Sequence, residues 1–377
     1  MSNPRGLKNT RICRLPSRNG ISRRSRLESL KPLKNSLRRI IRLYPNVAAT
    51  LFGCIVVVAL LVAAESFFRA KLWLGTRPGE GPAVSNIYEI AEPFPVLGYH
   101  AKASSSLVER PTRGGATIYT ANYHTDSQSR RLAPLVQEGQ RDCFAAFLGC
   151  SVTFGVGVED AETLPAQFGK FSNAHQPLNY GFPGYGLQQV WLQLTDKSFV
   201  EKLPSGKGAV IYTFIDDHIN RLVGTPAVLS GWNYALPWLV DENGQVNYMG
   251  TFRDRDPLRY YIYRYAGRMH VYRFLQNHLP ASEPMQALGA NAYDFAAHVI
   301  KDAADKLHKI RPEIQFCLLI FPDSGLGAEM RGRVESPLIT FLDYSKLLEA
   351  TGLPKDELWY RDSGATSSIV SPFVYMM

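Results

Sequence analysis

Residues 143–155 read CFAAFLGCSVTFG, a short apolar run followed at once by a serine between two glycines. The run Cys143–Leu148 has the length and composition of a buried strand. A serine directly after such a strand, with Gly149 and Gly155 on either side, can expose its hydroxyl and gather backbone N–H groups around an oxyanion. A phosphate-binding turn or a purely structural turn has the same pattern. Ser151 is therefore a candidate nucleophile, with those two alternatives open.

The sequence beyond this stretch alternates between strand-like and helix-like segments. Further apolar runs of strand length are Pro177–Tyr180, Ala209–Phe214, Ile314–Phe321 and Leu338–Leu342. Apolar residues with helical spacing occur in Leu164–Phe171, Leu187–Phe199 and Asn291–Lys309. This alternation predicts an α/β fold whose parallel sheet has helices on both faces. In such sheets, ligands bind at the carboxyl ends of the strands.

Two further motifs follow predicted strands. Residues 179–189 read NYGFPGYGLQQ, and their glycines allow the backbone to approach a ligand closely or simply form a loop. Residues 215–221 read IDDHINR, which places Asp216, Asp217 and His218 together. One histidine beside two carboxylates suits a metal site or a general base, and a hydrogen-bonded structural turn has the same pattern.

Together these motifs resemble the sequence blocks of the SGNH/GDSL hydrolase family, over about residues 143–363. The family's first block, Gly-Asp-Ser-x-Thr-x-Gly, matches residues 149–155, with Cys150 in place of its Asp. The resemblance implies a flavodoxin-like parallel sheet, Ser151 as the nucleophile, and an oxyanion hole built from the N–H groups of Ser151 and Gly184. It implies no cofactor and no metal.

The third block departs from the family pattern. The family has Gly-x-Asn-Asp, whose Asn completes the oxyanion hole, whereas residues 214–217 here read FIDD. An ionised carboxylate accepts hydrogen bonds and cannot donate one. Asp216 in this position would have to be protonated, or His218 or Asn220 would have to supply the donor.

The last block also departs from the pattern. The family ends with Asp-x-x-His, and Asp362 matches the acid that orients the base, but Ala365 stands where the base is expected. No histidine follows His308. We hypothesise that the residues after Asp362 are translated out of the ancestral reading frame, because they lack helical periodicity where the family closes on a helix.

Two functions are compatible with these residues. The first is a serine esterase or O-acyltransferase acting on acyl esters of a surface polysaccharide or a lipid. The second is a catalytically impaired carbohydrate- or partner-binding module on the same fold. The aromatic-rich insertion at about 222–285 suits sugar stacking or a second core. Its aromatic residues include Trp232, Tyr234, Trp238, Tyr248, Tyr260, Tyr261, Tyr263 and Tyr265.

The net charge of +9 is unevenly distributed. Residues 1–42 contain thirteen Lys or Arg and one acidic residue, Glu28, and therefore carry +12. Subtracting this +12 from +9 leaves −3 for residues 43–377. A nucleic-acid-binding domain carries its positive charge on the folded part, so we expect no nucleic-acid partner.

An uncharged segment follows the basic tail. Val47–Ala64 is eighteen residues long, enough to cross the hydrocarbon core of a bilayer. We predict a basic cytoplasmic tail (1–46), a single transmembrane signal-anchor (47–68), a stalk and N-terminal extension (69–140) and an SGNH-like domain (141–377). The positive-inside rule places the tail in the cytoplasm and the domain in the periplasm or outside the cell. A buried core helix, a cleaved signal peptide and a mitochondrial presequence are the alternatives.

Alkaline phosphatase fused after residue 75 should be active outside the cytoplasm, because the charge asymmetry directs export of everything beyond the span. The matched control is a fusion after residue 43, before the span, which should be inactive. Phosphatase activity in intact cells is the measurement. Equal activity of the two fusions, or activity of the shorter one alone, would contradict the predicted orientation.

Overall fold

The computed structural model of the chain describes residues 44–75, 85–113, 115–135, 141–225, 228–229, 236–272, 274, 289–322, 324–325, 327–351, 359–360 and 369–370. Two compact units divide the chain, residues 1–66 and residues 67–377. The predicted basic tail lies outside the described residues, except for its last three positions.

A long apolar helix, α1 (Pro45–Gly75), begins the described chain. Its segment Pro45–Lys71 is 27 residues long, and by length and composition it is able to cross a membrane. The predicted anchor, residues 47–68, falls within it. The helix is longer than the uncharged run, because the residues from Glu65 to Lys71 continue the helix with polar and charged side chains.

The N-terminal extension forms three antiparallel pairs of short strands. The strands are β1 (Ala91–Phe94), β2 (Gly98–Ala101), β3 (Ser106–Glu109), β4 (Thr112–Arg113), β5 (Ala116–Thr117) and β6 (Ala121–His124). They pair as β1-β2, β3-β6 and β4-β5. Buried aromatic residues of this region, Tyr99 and Tyr123 among them, share a core with Phe154, Phe182 and Tyr185 of the following domain. The described residues between 85 and 135 are therefore folded onto the α/β domain, and the predicted stalk stays a prediction.

Strands and helices alternate through the rest of the chain. The strands are β7 (Cys143–Leu148), β8 (His175–Asn179), β9 (Gly208–Phe214), β10 (Pro237–Glu242), β11 (Gln245–Thr251), β12 (Ile314–Ile320), β13 (Ile339–Asp343), β14 (Trp359–Tyr360) and β15 (Ile369–Val370). The helices are α2 (Ser151–Phe154), α3 (Leu164–Phe171), α4 (Leu187–Thr195), α5 (Lys197–Lys202), α6 (Asp217–Val223), α7 (Phe252–Arg255), α8 (Pro257–Ala266), α9 (Gly289–Ile310), α10 (Gly327–Arg333) and α11 (Leu347–Thr351).

Five strands form the central sheet, in the order β13-β12-β9-β7-β8, and all neighbours run parallel. Numbered by their order in the chain, these strands read 2-1-3-4-5 across the sheet, a doubly wound arrangement. Phe144, Tyr212 and Leu318 point to the face covered by α4 and α9. Phe147 and Ile211 point to the other face, where α3 packs. The prediction of a mainly parallel α/β sheet with helices on both faces is confirmed.

The aromatic-rich insertion contains an antiparallel hairpin, β10-β11. Its turn has Asn243 at φ 55° and Gly244 at φ 78°, the two positive φ values that a tight hairpin turn needs. The N–H of Gly244 donates to the Asp241 carboxylate at 2.9 Å. Residues 241–244 thus form the end of a hairpin, and α7 and α8 follow it.

A buried guanidinium joins the extension to the α/β domain. Arg131, whose side chain has no exposed surface, pairs with Asp160 at 3.0 Å. It donates to the carbonyls of Phe154 at 2.8 Å and Val158 at 2.6 Å, and its guanidinium lies 4.3 Å from the Tyr123 ring centroid. The turn that leaves α2 is therefore fixed by a side chain from outside the sheet.

Replacing Arg131 by Met should lower the free energy of unfolding by about 3 kcal/mol, because Asp160 and the turn carbonyls lose their buried partner. The control is Lys197→Met, which breaks an exposed pair with Glu201 and should cost at most about 1 kcal/mol. Urea unfolding of the full chain in detergent measures both. Similar losses in the two variants would show that the Arg131 contacts do not hold the fold together.

Candidate functional site

Ser151 lies at the carboxyl end of β7, beside the point where the strand order reverses between β7 and β9. It is the first residue of α2, and Gly155 ends that helix in the left-handed conformation at φ 83°. Ser151 is partly accessible, whereas its neighbours are buried, namely Leu148, Cys150, Val152, Thr153 and Phe154. Ser151 is therefore the residue of this turn that keeps surface exposed to solvent.

The loop that follows β8 rests directly on the Ser151 turn. The N–H of Phe182 donates to the Gly149 carbonyl at 3.1 Å, and Asn179 Nδ2 donates to the Thr153 carbonyl at 3.0 Å. A Cβ added at Gly181 would lie 2.6 Å from the backbone nitrogen of Phe154, so only glycine allows this approach. Residues 149–155 and residues 179–189 are thus in contact through one backbone hydrogen bond and one from the Asn179 side chain.

Gly184 is buried and has φ 83°, a conformation that favours glycine. Side chains hold the carbonyls on both sides of it. The Tyr99 hydroxyl donates to the Pro183 carbonyl at 3.0 Å, and Arg221 Nη1 donates to the Tyr185 carbonyl at 2.6 Å. The peptide groups around Gly184 are therefore fixed in orientation before any ligand binds. Its role in an oxyanion hole stays a prediction.

Asp216 follows β9 and precedes α6, at the same edge of the sheet. Its carboxylate accepts a hydrogen bond from the Ser324 hydroxyl and another from the N–H of Gly325 at 2.9 Å. Both donors lie on the loop after β12. The carboxylate thus acts as an acceptor that ties two adjacent loops, which is the opposite of the donor that an oxyanion hole requires.

His218 is fully buried, on the sheet face that α4 and α9 cover. Its ring stacks on Tyr212 at 5.6 Å between centroids, and its Nδ1 is 2.7 Å from the Tyr212 hydroxyl. Its Nε2 is buried and has no hydrogen-bond partner among the residues that the structure describes. Burial holds the pKa of His218 well below its ordinary value, and the nearby Arg221 guanidinium lowers it further. The imidazole is therefore neutral at physiological pH.

The remaining predicted residues fall into two groups. Asn220 is half-buried, and its Nδ2 lies 3.4 Å from the Asp217 carboxylate. Asp362 and Ala365 lie outside the described residues. Within the described part of the chain, no three His, Cys, Asp or Glu side chains are grouped so that they could hold a metal ion.

Three residues that hold peptide groups near Ser151 and Gly184 were not singled out from the sequence. They are Tyr99, Arg131 and Arg221. Arg221 had a local signal, because it lies four residues after Asp217 and pairs with it at 2.6 Å. Tyr99 and Arg131 had none. They act on backbone carbonyls that are distant in sequence, and nothing in a local pattern indicates which carbonyls will need a donor.

No protein-family model and no curated protein matches this chain. A solved structure similar to it is an acetyl xylan esterase. That protein is Est2A from the rumen bacterium Butyrivibrio proteoclasticus. The similarity covers 65% of this chain, with 11% sequence identity and a TM-score of 0.29. The chain spans 63% of the length of that esterase.

The free energy of unfolding should fall as the pH drops below about 6.5, because His218 then binds a proton in the unfolded chain but not in the folded one. This group contributes a slope of at most about 1.4 kcal/mol per pH unit. His218→Gln keeps a hydrogen-bonding group beside Tyr212 and should lose that part of the slope.

Urea unfolding of the full chain in detergent, at about pH 7.5 and about pH 5.5, measures the slope on both sides of the titration. His308→Gln, the same substitution at an exposed position of α9, is the matched control. An unchanged slope in His218→Gln would mean that the folded protein accepts a proton at this position.

Proposed function

We propose that the chain is a membrane-anchored serine esterase or O-acyltransferase of the SGNH/GDSL type, with its domain on the extracytoplasmic side. The observation that carries the proposal is the placement of Ser151. It is the partly accessible residue of a glycine-bounded turn, at the strand end where doubly wound sheets bind ligands. The α1 helix supports the anchor by its length and composition.

In the proposed reaction, Ser151 Oγ attacks the carbonyl carbon of an acyl ester. A bond from Oγ to the acyl carbon forms, the ester C–O bond breaks, and the alcohol leaves with a proton. Water or the hydroxyl of a second acceptor then takes the acyl group and releases the serine. The fixed peptide groups at Gly184 and the N–H of Ser151 support stabilisation of the oxyanion in both steps.

The proton of Ser151 needs a base, and the resemblance assigns that role to a histidine at position 365, where this chain has Ala. Asp362 would orient that histidine. His218 is a poor replacement, because its ring is enclosed between Tyr212 and the core and has no contact with solvent. We therefore expect the chain to be a slow esterase as written.

A second candidate function is a sugar-binding module on the same fold. A cavity of about 670 Å³ lies between β10 and the first half of α9, lined in part by Trp238, Phe295 and His298. His298 Nδ1 is 2.6 Å from the Asp241 carboxylate, which also lines this cavity. Aromatic walls with a few polar groups are typical of small-ligand sites. This cavity therefore supports a binding function for a domain whose catalysis is weak.

Ser151→Ala should abolish covalent labelling by a fluorophosphonate and remove the ester cleavage that the chain has, because the nucleophile is lost. Ser205→Ala, at an exposed loop serine, is the matched control and should label like the parent. In-gel fluorescence and hydrolysis of p-nitrophenyl acetate are the measurements. Labelling that persists in Ser151→Ala would exclude Ser151 as the nucleophile, and a silent parent would favour the binding module.

Ala365→His should raise the hydrolysis rate by a factor on the order of 10² or more, since a positioned general base contributes about that much. The double variant Ser151→Ala, Ala365→His separates this effect from hydrolysis by a free imidazole and should be inactive. Ala365→Gln controls for the larger side chain. A rate gain that survives in the double variant would reject the assigned serine–histidine pair.

A further inference from the structure

Helix α8 (Pro257–Ala266) exposes a stripe of large apolar and aromatic side chains. Its members follow the helical spacing i, i+3, i+4, i+7, which places them on one face. Their exposed fractions are 72% for Leu258, 48% for Tyr261, 53% for Ile262 and 62% for Tyr265. The Tyr261 and Tyr265 rings stack at 6.2 Å, so the stripe is a continuous surface.

The opposite face of α8 attaches it to the domain. Tyr260 is buried, and Tyr263 packs against the small core formed by Val228, Leu229, Leu236 and Phe252. Gly267, one turn beyond Tyr263, is also buried. The helix is therefore held in place by its inner face, and the exposed stripe is not a consequence of a detached segment.

Basic side chains flank the stripe. Residues 252–268 contain five arginines and two aspartates, a net charge of +3, whereas residues 43–377 as a whole carry −3. The arginines are Arg253, Arg255, Arg259, Arg264 and Arg268. The Arg268 guanidinium lies 5.9 Å from the Tyr265 ring centroid, at the edge of the stripe. Exposed apolar and tyrosine side chains with arginines around them are typical of helices that lie in a membrane interface.

The same region of the chain contacts the end of the apolar helix. Phe68, in the last part of the predicted anchor, packs against Phe274 with ring centroids 4.6 Å apart. Phe274 follows α8 by eight residues and is itself 38% exposed. An aromatic pair at the end of a membrane span sits where rings prefer the interface. This pair lies within the compact unit that also contains α8, residues 67–377.

We propose that α8 lies in the interface of the bilayer that α1 spans, with Leu258, Tyr261, Ile262 and Tyr265 inserted between lipid headgroups and the arginines bound to anionic lipid. The inference rests on the membrane span of the proposed function and is independent of catalysis. It gives the domain a second attachment to the membrane, in addition to α1, and so restricts its rotation about the anchor.

The test uses the full chain in vesicles of phosphatidylcholine, with and without phosphatidylglycerol. The photoreactive residue p-benzoylphenylalanine replaces Tyr261 or Tyr265 in separate variants. Leu60, 64% exposed within the span, is the positive control, and Phe171, 83% exposed on α3, is the negative control. After illumination, mass spectrometry identifies adducts with lipid or with protein.

We expect lipid adducts at positions 60, 261 and 265, several-fold above those at 171, with more adduct at 261 and 265 when phosphatidylglycerol is present. Adducts at 60 without adducts at 261 and 265 would overturn the interface proposal and leave the span in place. Adducts joining two copies of the chain through 261 would instead identify α8 as a contact between copies. Absence of lipid adducts at 60 as well would overturn the span and the interface proposal together.

Discussion

The parallel hydrogen bonding of β7 to both β8 and β9 is the constraint on which the candidate site depends. Phe147 pairs with Asn179 on one side and Ile211 on the other, so the three strands end at nearly the same level. Parallel strands also end at the same edge, and for that reason three loops from distant parts of the chain start side by side. An antiparallel arrangement of the same strands would have sent every second loop to the opposite edge.

Strand register brings the loops to one edge, but it does not fix their peptide groups. Buried donors from outside the sheet fix the peptide groups. Arg131 holds the turn after α2. Arg221 and Tyr99 hold the peptides around Gly184. A hydrogen-bond donor aimed at developing charge contributes most when it needs no reorganisation during the reaction. The N-terminal extension, through Tyr99 and Arg131, therefore fixes peptide groups at this edge, although it lies outside the sheet.

The polar groups at this edge of the sheet differ in what they contribute. The Ser151 turn and the loop of Gly184 rest on one another through direct hydrogen bonds, whereas the polar groups after β9 serve the fold. Asp216 joins two loops, and His218 fills a core position as a neutral ring. The carboxyl edge of the sheet keeps the partly accessible Ser151 turn even where no general base lies beside it. This explains why a catalytic and a binding function both remain compatible with it.

Local patterns in the sequence were sufficient for the α/β class, the apolar helix and the position of Ser151 after a buried strand. Each depends on neighbouring residues: apolar runs, helical spacing and glycines at a turn. They could not indicate that His218 faces the core, that Asp216 binds a loop more than 100 residues away, or that Arg131 holds the Ser151 turn. These contacts arise because folding leaves particular carbonyls and carboxylates without water, and which groups lose water depends on the order of the strands in the sheet. Only the tertiary structure decided that order.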